Sequence, residues 1–192
     1  MTVTKKSLNF RRNALQKRLR PTSAKVRKAI FDIIRYRIVG ASFVDLYAGT
    51  GTVGFEALSR GAAMAIFVEV DKSRAIIIKE NLSKFGLKER GFVIEKKAEE
   101  FLKKSAVENR KFDIFFIDPP YFSDEIINIL PVIEEKKLLT DGGLVIVEHF
   151  FKKKLPEIVG GLKKMRNYRY GDTMLTIYNK ENTQGKGRGV RW

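Results

Sequence analysis

The chain has no cysteine. That excludes a disulfide framework, a thiolate nucleophile, an iron–sulfur cluster and any sulfur-based zinc site. It has a single histidine, His149. One imidazole cannot build a histidine-cluster metal centre and leaves little for a Ser-His-Asp triad, so no metal site is expected. No apolar run approaches the ~18 residues that a membrane-spanning helix needs. The N-terminus, Met1-Thr2-Val3-Thr4-Lys5-Lys6, lacks the apolar core of a secretory signal, which makes the cytoplasm the expected compartment.

Acidic residues are scarce at both ends. Residues 1–37 carry twelve Lys/Arg and one acid, Asp32; residues 183–192 carry three basic residues and no acid. The stretch between them is close to balanced, with 23 basic and 21 acidic residues, so most of the formal +16 sits on the two flanks. Such asymmetry points to a polyanionic partner and to phosphate-backbone contact. Arg11, Arg12, Lys17 and Arg18 are the candidate contacts in a basic extension over 1–19, followed by one domain over 20–182. The Gly-rich basic tail, 183–192, reads equally well as a solvated segment. At 192 residues, 44% apolar and 31% charged, the chain has the length and composition of one globular domain.

The patterning alternates strand and helix. Thr22 or Ser23 caps a helix running to about Arg37. Strands are expected at Ser42–Tyr47, Ala65–Val70, Phe92–Glu95, Phe112–Ile117 and Leu144–Glu148. Helices are expected after Gly51 to about Arg60, and over Lys72–Lys84, Ala98–Lys104 and Ser123–Lys136. A short helix is expected near Leu155–Leu162, then strands Lys164–Tyr170 and Thr173–Tyr178 around Gly171-Asp172. The result is an α/β, Rossmann-like fold: a seven-stranded, mostly parallel sheet with helices on both faces and an antiparallel C-terminal hairpin.

Two motifs carry chemistry. The first is Asp45-Leu46-Tyr47-Ala48-Gly49-Thr50-Gly51-Thr52-Val53-Gly54, a G-x-G-x-x-G between a strand and a helix. Glycines there permit a tight turn and close approach of a ligand to the backbone, and Glu69, twenty residues after Gly49, stands where a carboxylate can bind ribose hydroxyls. A nucleoside-containing cofactor follows. Asp45, a carboxylate beside the loop, suits a cationic cofactor better than the pyrophosphate of a dinucleotide.

The second is Asp118-Pro119-Pro120-Tyr121, at the end of the fourth strand. Asp118 and the Pro119 carbonyl offer two acceptors to one amino group, the prolines fix the loop, and Tyr121 offers a flat face to a ring. An exocyclic amino nitrogen is a poor nucleophile because its lone pair is delocalised into the ring. Accepting both of its N–H bonds favours the pyramidal, nucleophilic form in the transition state. Together the motifs favour S-adenosylmethionine over a nicotinamide cofactor.

With these residues the chain resembles the class I S-adenosylmethionine-dependent methyltransferases that act on amino groups. More closely, it resembles the RsmD-like family, which methylates the exocyclic N2 of a guanine in bacterial 16S ribosomal RNA. The likeness runs from about Arg20 to Tyr178. Besides the two motifs it rests on Arg20-Pro21-Thr22, Glu56-Ala57-Leu58-Ser59-Arg60-Gly61-Ala62, Phe67-Val68-Glu69 and Tyr170-Gly171-Asp172-Thr173. It implies that Asp45, Gly49 and Gly51 line the methionine part of the cofactor, with Tyr47 and Asp118 also at the cofactor, that Glu69 binds its ribose, and that Ala98 and Glu99 stand near adenine. Arg20 and Thr22 fall at the mouth of the site. The implied partner is ribosomal RNA within a 30S subunit or an assembly intermediate. Adenine-N6 methylation of DNA or RNA shares the Asp-Pro-Pro-Tyr loop and is the rival enzyme reading. Protein-glutamine methylation and nicotinamide-dependent oxidoreduction fit less well. An RNA-binding assembly protein with a vestigial cofactor site is the rival outside catalysis. His149 and Lys152-Lys153-Lys154 read as structural and solvent-facing.

Overall fold

A computed structural model describes residues 22–120 and 123–180. The expected basic extension, the tail, and the candidate residues Arg11, Arg12, Lys17, Arg18, Arg20 and Tyr121 lie outside the described residues.

Five helices and eight strands form among the described residues. The helices are α1 (Ala24–Ile33), α2 (Thr52–Ser59), α3 (Lys72–Lys84), α4 (Ala98–Val107) and α5 (Glu125–Glu135). The strands are β1 (Ser42–Asp45), β2 (Met64–Val68), β3 (Gly91–Ile94), β4 (Phe112–Ile117), β5 (Leu139–Phe150), β6 (Ile158–Val159), β7 (Leu162–Tyr170) and β8 (Thr173–Lys180). They make one sheet in the order β3-β2-β1-β4-β5-β8-β7-β6. The first five in that order run parallel; β8 pairs antiparallel with β5 and β7, and β6 antiparallel with β7. This is the expected architecture, with β6 as an eighth strand.

The central strands are apolar on both faces because helices cover both. In β4, Ile114 and Phe116 join Val26, Ile30 and Phe31 of α1 and Val53 and Ala57 of α2 in one core. Phe115 and Ile117 join Phe101 of α4 and Ile129 and Ile133 of α5 in the other. A smaller cluster holds α3 to β2 through Phe67, Ile78 and Leu82.

One expected element is absent. The segment Leu155–Leu162 is not a helix; it contains β6 and turns into β7. Pro156, the β-branched pair Ile158-Val159 and Gly160-Gly161 all disfavour a helix, and Gly160 adopts φ +57°. Two contacts fix the extended path: the Tyr178 hydroxyl donates to the Pro156 carbonyl at 2.7 Å, and the Gly161 amide donates to Glu134 Oε1 at 3.0 Å. β5 is also longer than its apolar stretch suggests. It begins at Leu139 and passes Gly142-Gly143 through a shift in register against β4.

Strand order reverses between β1 and β4, whose onward connections lead to opposite sides of the sheet. In open α/β sheets ligands bind outside the carboxyl ends of strands at such a switch point. Asp45 ends β1, Glu69 follows β2, Asp118 follows β4, and Glu148 lies near the end of β5.

Candidate active site at the carboxyl end of the sheet

The glycine loop is held by two carboxylates. Asp45 is 1% exposed, and its Oδ2 accepts the Gly54 amide at 3.1 Å. Glu69 Oε2 accepts the Gly49 amide at 2.7 Å, its Oε1 accepts the Asp71 amide at 2.8 Å, and Arg74 stands 3.9 Å away. Gly49 and Gly51 take φ +56° and +78°, a region that side chains with a Cβ rarely adopt, so the loop needs glycine at both. Gly54 is required for a different reason. A Cβ there would lie 2.3 Å from the Phe67 ring, so its bareness lets α2 pack tightly on β2.

These groups open onto a cavity of about 880 Å³. Of the expected residues, Thr22, Asp45, Tyr47, Gly49, Glu69, Ala98, Glu99, Asp118, Pro119 and Pro120 line it. Gly51 instead caps α2 behind the lining, against Phe55, Phe67 and Ile78. Glu99 is at the exposed rim, paired with Lys103 at 2.7 Å, which holds its carboxyl below the usual range. Tyr47 is half-buried; burial and a hydrogen bond with Glu125 push its hydroxyl pKa up. Val70, Arg74, Glu125 and Asn128 also line the cavity and were not anticipated from the sequence.

The loop after β4 is closed by Ser123, whose amide and hydroxyl each donate to the Pro120 carbonyl at 2.9 Å. Lys153 reaches across from the end of β5 and donates to the Ser123 carbonyl at 2.5 Å, near Asp124 at 3.4 Å. Lys153 therefore anchors the loop that follows β4, unlike the solvent-facing lysine expected from the Lys152–Lys154 run. His149 is buried, hydrogen-bonded with Thr176 Oγ1 at 2.7 Å and with the Phe150 carbonyl at 2.9 Å, a structural role; burial pushes its pKa down.

Electrostatics distinguish the two ends of the sheet. At the amino ends, burial raises Asp113, but bonds from the Ser42 amide and hydroxyl and from Thr140, with Arg37 nearby, outweigh it and hold the carboxyl low. At the carboxyl ends nothing comparable offsets burial. Burial pushes Asp45 up to about 7 against the Gly54 bond, with Glu69 and Glu148 adding to the rise. Asp118 is raised by burial, then by Glu148 and Asp45. Glu148 is raised by burial to about 7, with a Thr22 hydrogen bond opposing the rise. Buried carboxylates crowded at one end of a cavity mark a functional site and suit a ligand that brings positive charge or N–H donors.

Comparison with known proteins gives one consistent answer. The sequence profile of the family described as Conserved hypothetical protein 95 matches residues 3–179. The "Putative rRNA methyltransferase YlbH" of Bacillus subtilis is 37% identical over 161 residues, covering 84% of this chain and 88% of that protein. Ribosomal RNA small subunit methyltransferase D of Escherichia coli is 31% identical over 165 residues, covering 85% and 80%. Among solved structures, "Putative methyltransferase yhhF" from Escherichia coli superposes with a TM-score of 0.76 at 28% identity, over 86% of this chain and 89% of that one. An RNA methyltransferase from Salinibacter ruber in complex with S-adenosyl-L-homocysteine shares the fold, with a TM-score of 0.64 at 12% identity over 88% and 98%. The chain belongs to the Conserved hypothetical protein 95 family, the family of ribosomal RNA small subunit methyltransferase D.

Proposed function

We propose that this protein transfers a methyl group from S-adenosylmethionine to the exocyclic N2 amino group of a guanine in 16S ribosomal RNA, within a small ribosomal subunit or its assembly intermediate. One observation carries the reading: the glycine loop with Asp45 and Glu69, and the Asp118-Pro119 acceptors, line a single cavity at the switch point of the sheet. Its volume of about 880 Å³ suits a ligand of cofactor size. The donor set also fits this cofactor. Glu69 is fixed by two backbone amides where a ribose would be bound, and the buried Asp45 suits a cationic methionine group. Ala98 and Glu99 bound the end assigned to adenine. When bound, the cofactor supplies an electrophilic methyl on a sulfonium.

The chain's own residues do the rest. Asp118 and the Pro119 carbonyl accept the two N–H bonds of the target amino group, and the proline pair holds the loop rigid. Tyr121 supplies the stacking face that aligns the ring. The target base must leave its stack to reach them. Basic residues of the N-terminal extension, among them Arg11, Arg12, Lys17 and Arg18, hold the phosphate backbone, and Arg20 and Thr22 stand at the entrance. The expected division into extension, catalytic domain and tail belongs to this reading.

The test is methyl incorporation from labelled S-adenosylmethionine into small-subunit particles lacking the modification, with duplex DNA in parallel. Particles are expected to be labelled and DNA not, and Asp118→Ala is expected to abolish labelling while cofactor binding persists. Full labelling by Asp118→Ala, or preference for DNA, would overturn the reading.

A further inference from the structure

Glu148 takes no part in the roles assigned above, yet it stands next to the centre of the site. Ile117 of β4 pairs in parallel with Val147 of β5, so the next residues along are Asp118 and Glu148. Strand alternation puts both on the face that carries Phe116 and Ile146, the face covered by α1. Thr22, just ahead of α1, links them. Its hydroxyl donates to Asp118 Oδ2 at 3.4 Å, and from the same place Thr22 opposes the rise that burial imposes on Glu148.

Glu148 is 4% exposed, and its Oε2 is buried with no hydrogen-bond partner. A buried carboxylate oxygen without a donor is costly, so an ionised Glu148 takes up a proton readily when one is delivered. Among the described residues, the charged groups coupled to it are Asp118 and Asp45. Leu175 is its partner across β8, and Val26 and Ile30 of α1 belong to the apolar core on that face. No cation among these competes for the proton.

We propose that Glu148 is the final proton acceptor of the methylation reaction, loaded from Asp118 through the Thr22 hydroxyl. This rests on the amino-methylation reading above. After methyl transfer the nitrogen carries one proton too many. Its N–H bond breaks with the electron pair left on nitrogen, and the proton passes to Asp118 Oδ2. Asp118 gives a proton to Thr22 Oγ1 as the Thr22 hydroxyl gives its own to Glu148. One proton has moved from nitrogen to Glu148, nothing is oxidised or reduced, and Asp118 is again a carboxylate able to accept N–H bonds. An acceptor that titrates near neutral pH is well matched to this task. Glu148 acts through Asp118 and Thr22 and is in this sense a positioning residue.

The test compares full-length wild type with Glu148→Gln and Thr22→Val on small-subunit particles. Each variant is expected to slow single-turnover methylation by roughly 100-fold or more, within the usual range for loss of a proton-transfer partner. KM and cofactor affinity should barely change, the double variant should be no slower than the slower single one, and the acid limb of the rate profile should flatten. A second readout needs no turnover. Infrared difference spectra of the free protein should show a protonated carboxyl titrating near neutral pH that Glu148→Gln removes. Wild-type rates and pH profile in either variant, or an equal loss of cofactor affinity, would overturn the relay. The identity of the methylated base is read separately: a product other than methylguanine overturns the target assignment, while the variants still decide the relay.

Discussion

Asp45 and Gly54 act as a pair: the carboxylate ending β1 takes the Gly54 amide, and the bare glycine lets the Phe67 ring lie against α2. Gly54→Ala forces a methyl into a space 2.3 Å from that ring. It should cost about 1–3 kcal/mol of stability, as overpacking does, read as a lower midpoint in denaturant. Cofactor affinity should fall with it, because the same amide fixes Asp45. An unchanged midpoint would mean that Phe67 moves aside freely. This part of the site was legible in the sequence because the glycine loop and Asp118-Pro119-Pro120 are local motifs whose spacing fixes their geometry. Glu148 was not assigned to it. Its place depends on β4 lying beside β5 and on Thr22 folding over both, neither of which is local. A usable signal did exist: like Asp118, Glu148 ends an apolar run, Leu144–Val147.

At the scale of elements, the start of α1 is the part that reaches Asp118. Ser23 Oγ accepts the Val26 amide at 3.2 Å, which fixes the helix start and with it Thr22, one residue earlier. Ser23→Ala should cost about 1 kcal/mol by thermal or chemical unfolding, the usual value of an N-cap. It should also slow methylation more than it weakens cofactor binding, since Thr22 is displaced and Asp45 and Glu69 are not. The strands and helices around the switch point follow the expected order because their apolar periods are unambiguous. The expected helix at 155–162 does not form because Pro156 and Gly160-Gly161 oppose it. The place of Lys153 is not legible locally either, since nothing in the Lys152–Lys154 run shows that the end of β5 passes beside Ser123.

For the molecule as a whole, charge of the two signs is concentrated in different places. Acids collect in the cavity, and the excess of Lys and Arg lies on the flanks. The folded protein holds Asp45, Asp118 and Glu148 at pKa values above those of unfolded carboxylates. Between the ordinary carboxylate range and about 7 the native state binds more protons, so stability falls as pH rises through that window. The free protein should therefore melt at a lower temperature at about pH 8 than at about pH 6, and Asp45→Asn should narrow the gap. An equal or higher melting temperature at the higher pH would contradict the carboxylate cluster as drawn. Removing residues 1–19 should weaken RNA binding and flatten its salt dependence while leaving cofactor affinity alone. An unchanged salt slope would remove the extension from the interface.

The central claim is that the cavity presents a guanine amino group to a methyl donor. The most direct measurement is nucleoside analysis of 16S ribosomal RNA from cells lacking this protein, before and after treatment of their small subunits with the purified chain and S-adenosylmethionine. N2-methylguanosine appearing at one site with wild type, and not with Asp118→Ala, is the predicted result. N6-methyladenosine in its place, or no new methylated nucleoside at all, would contradict it.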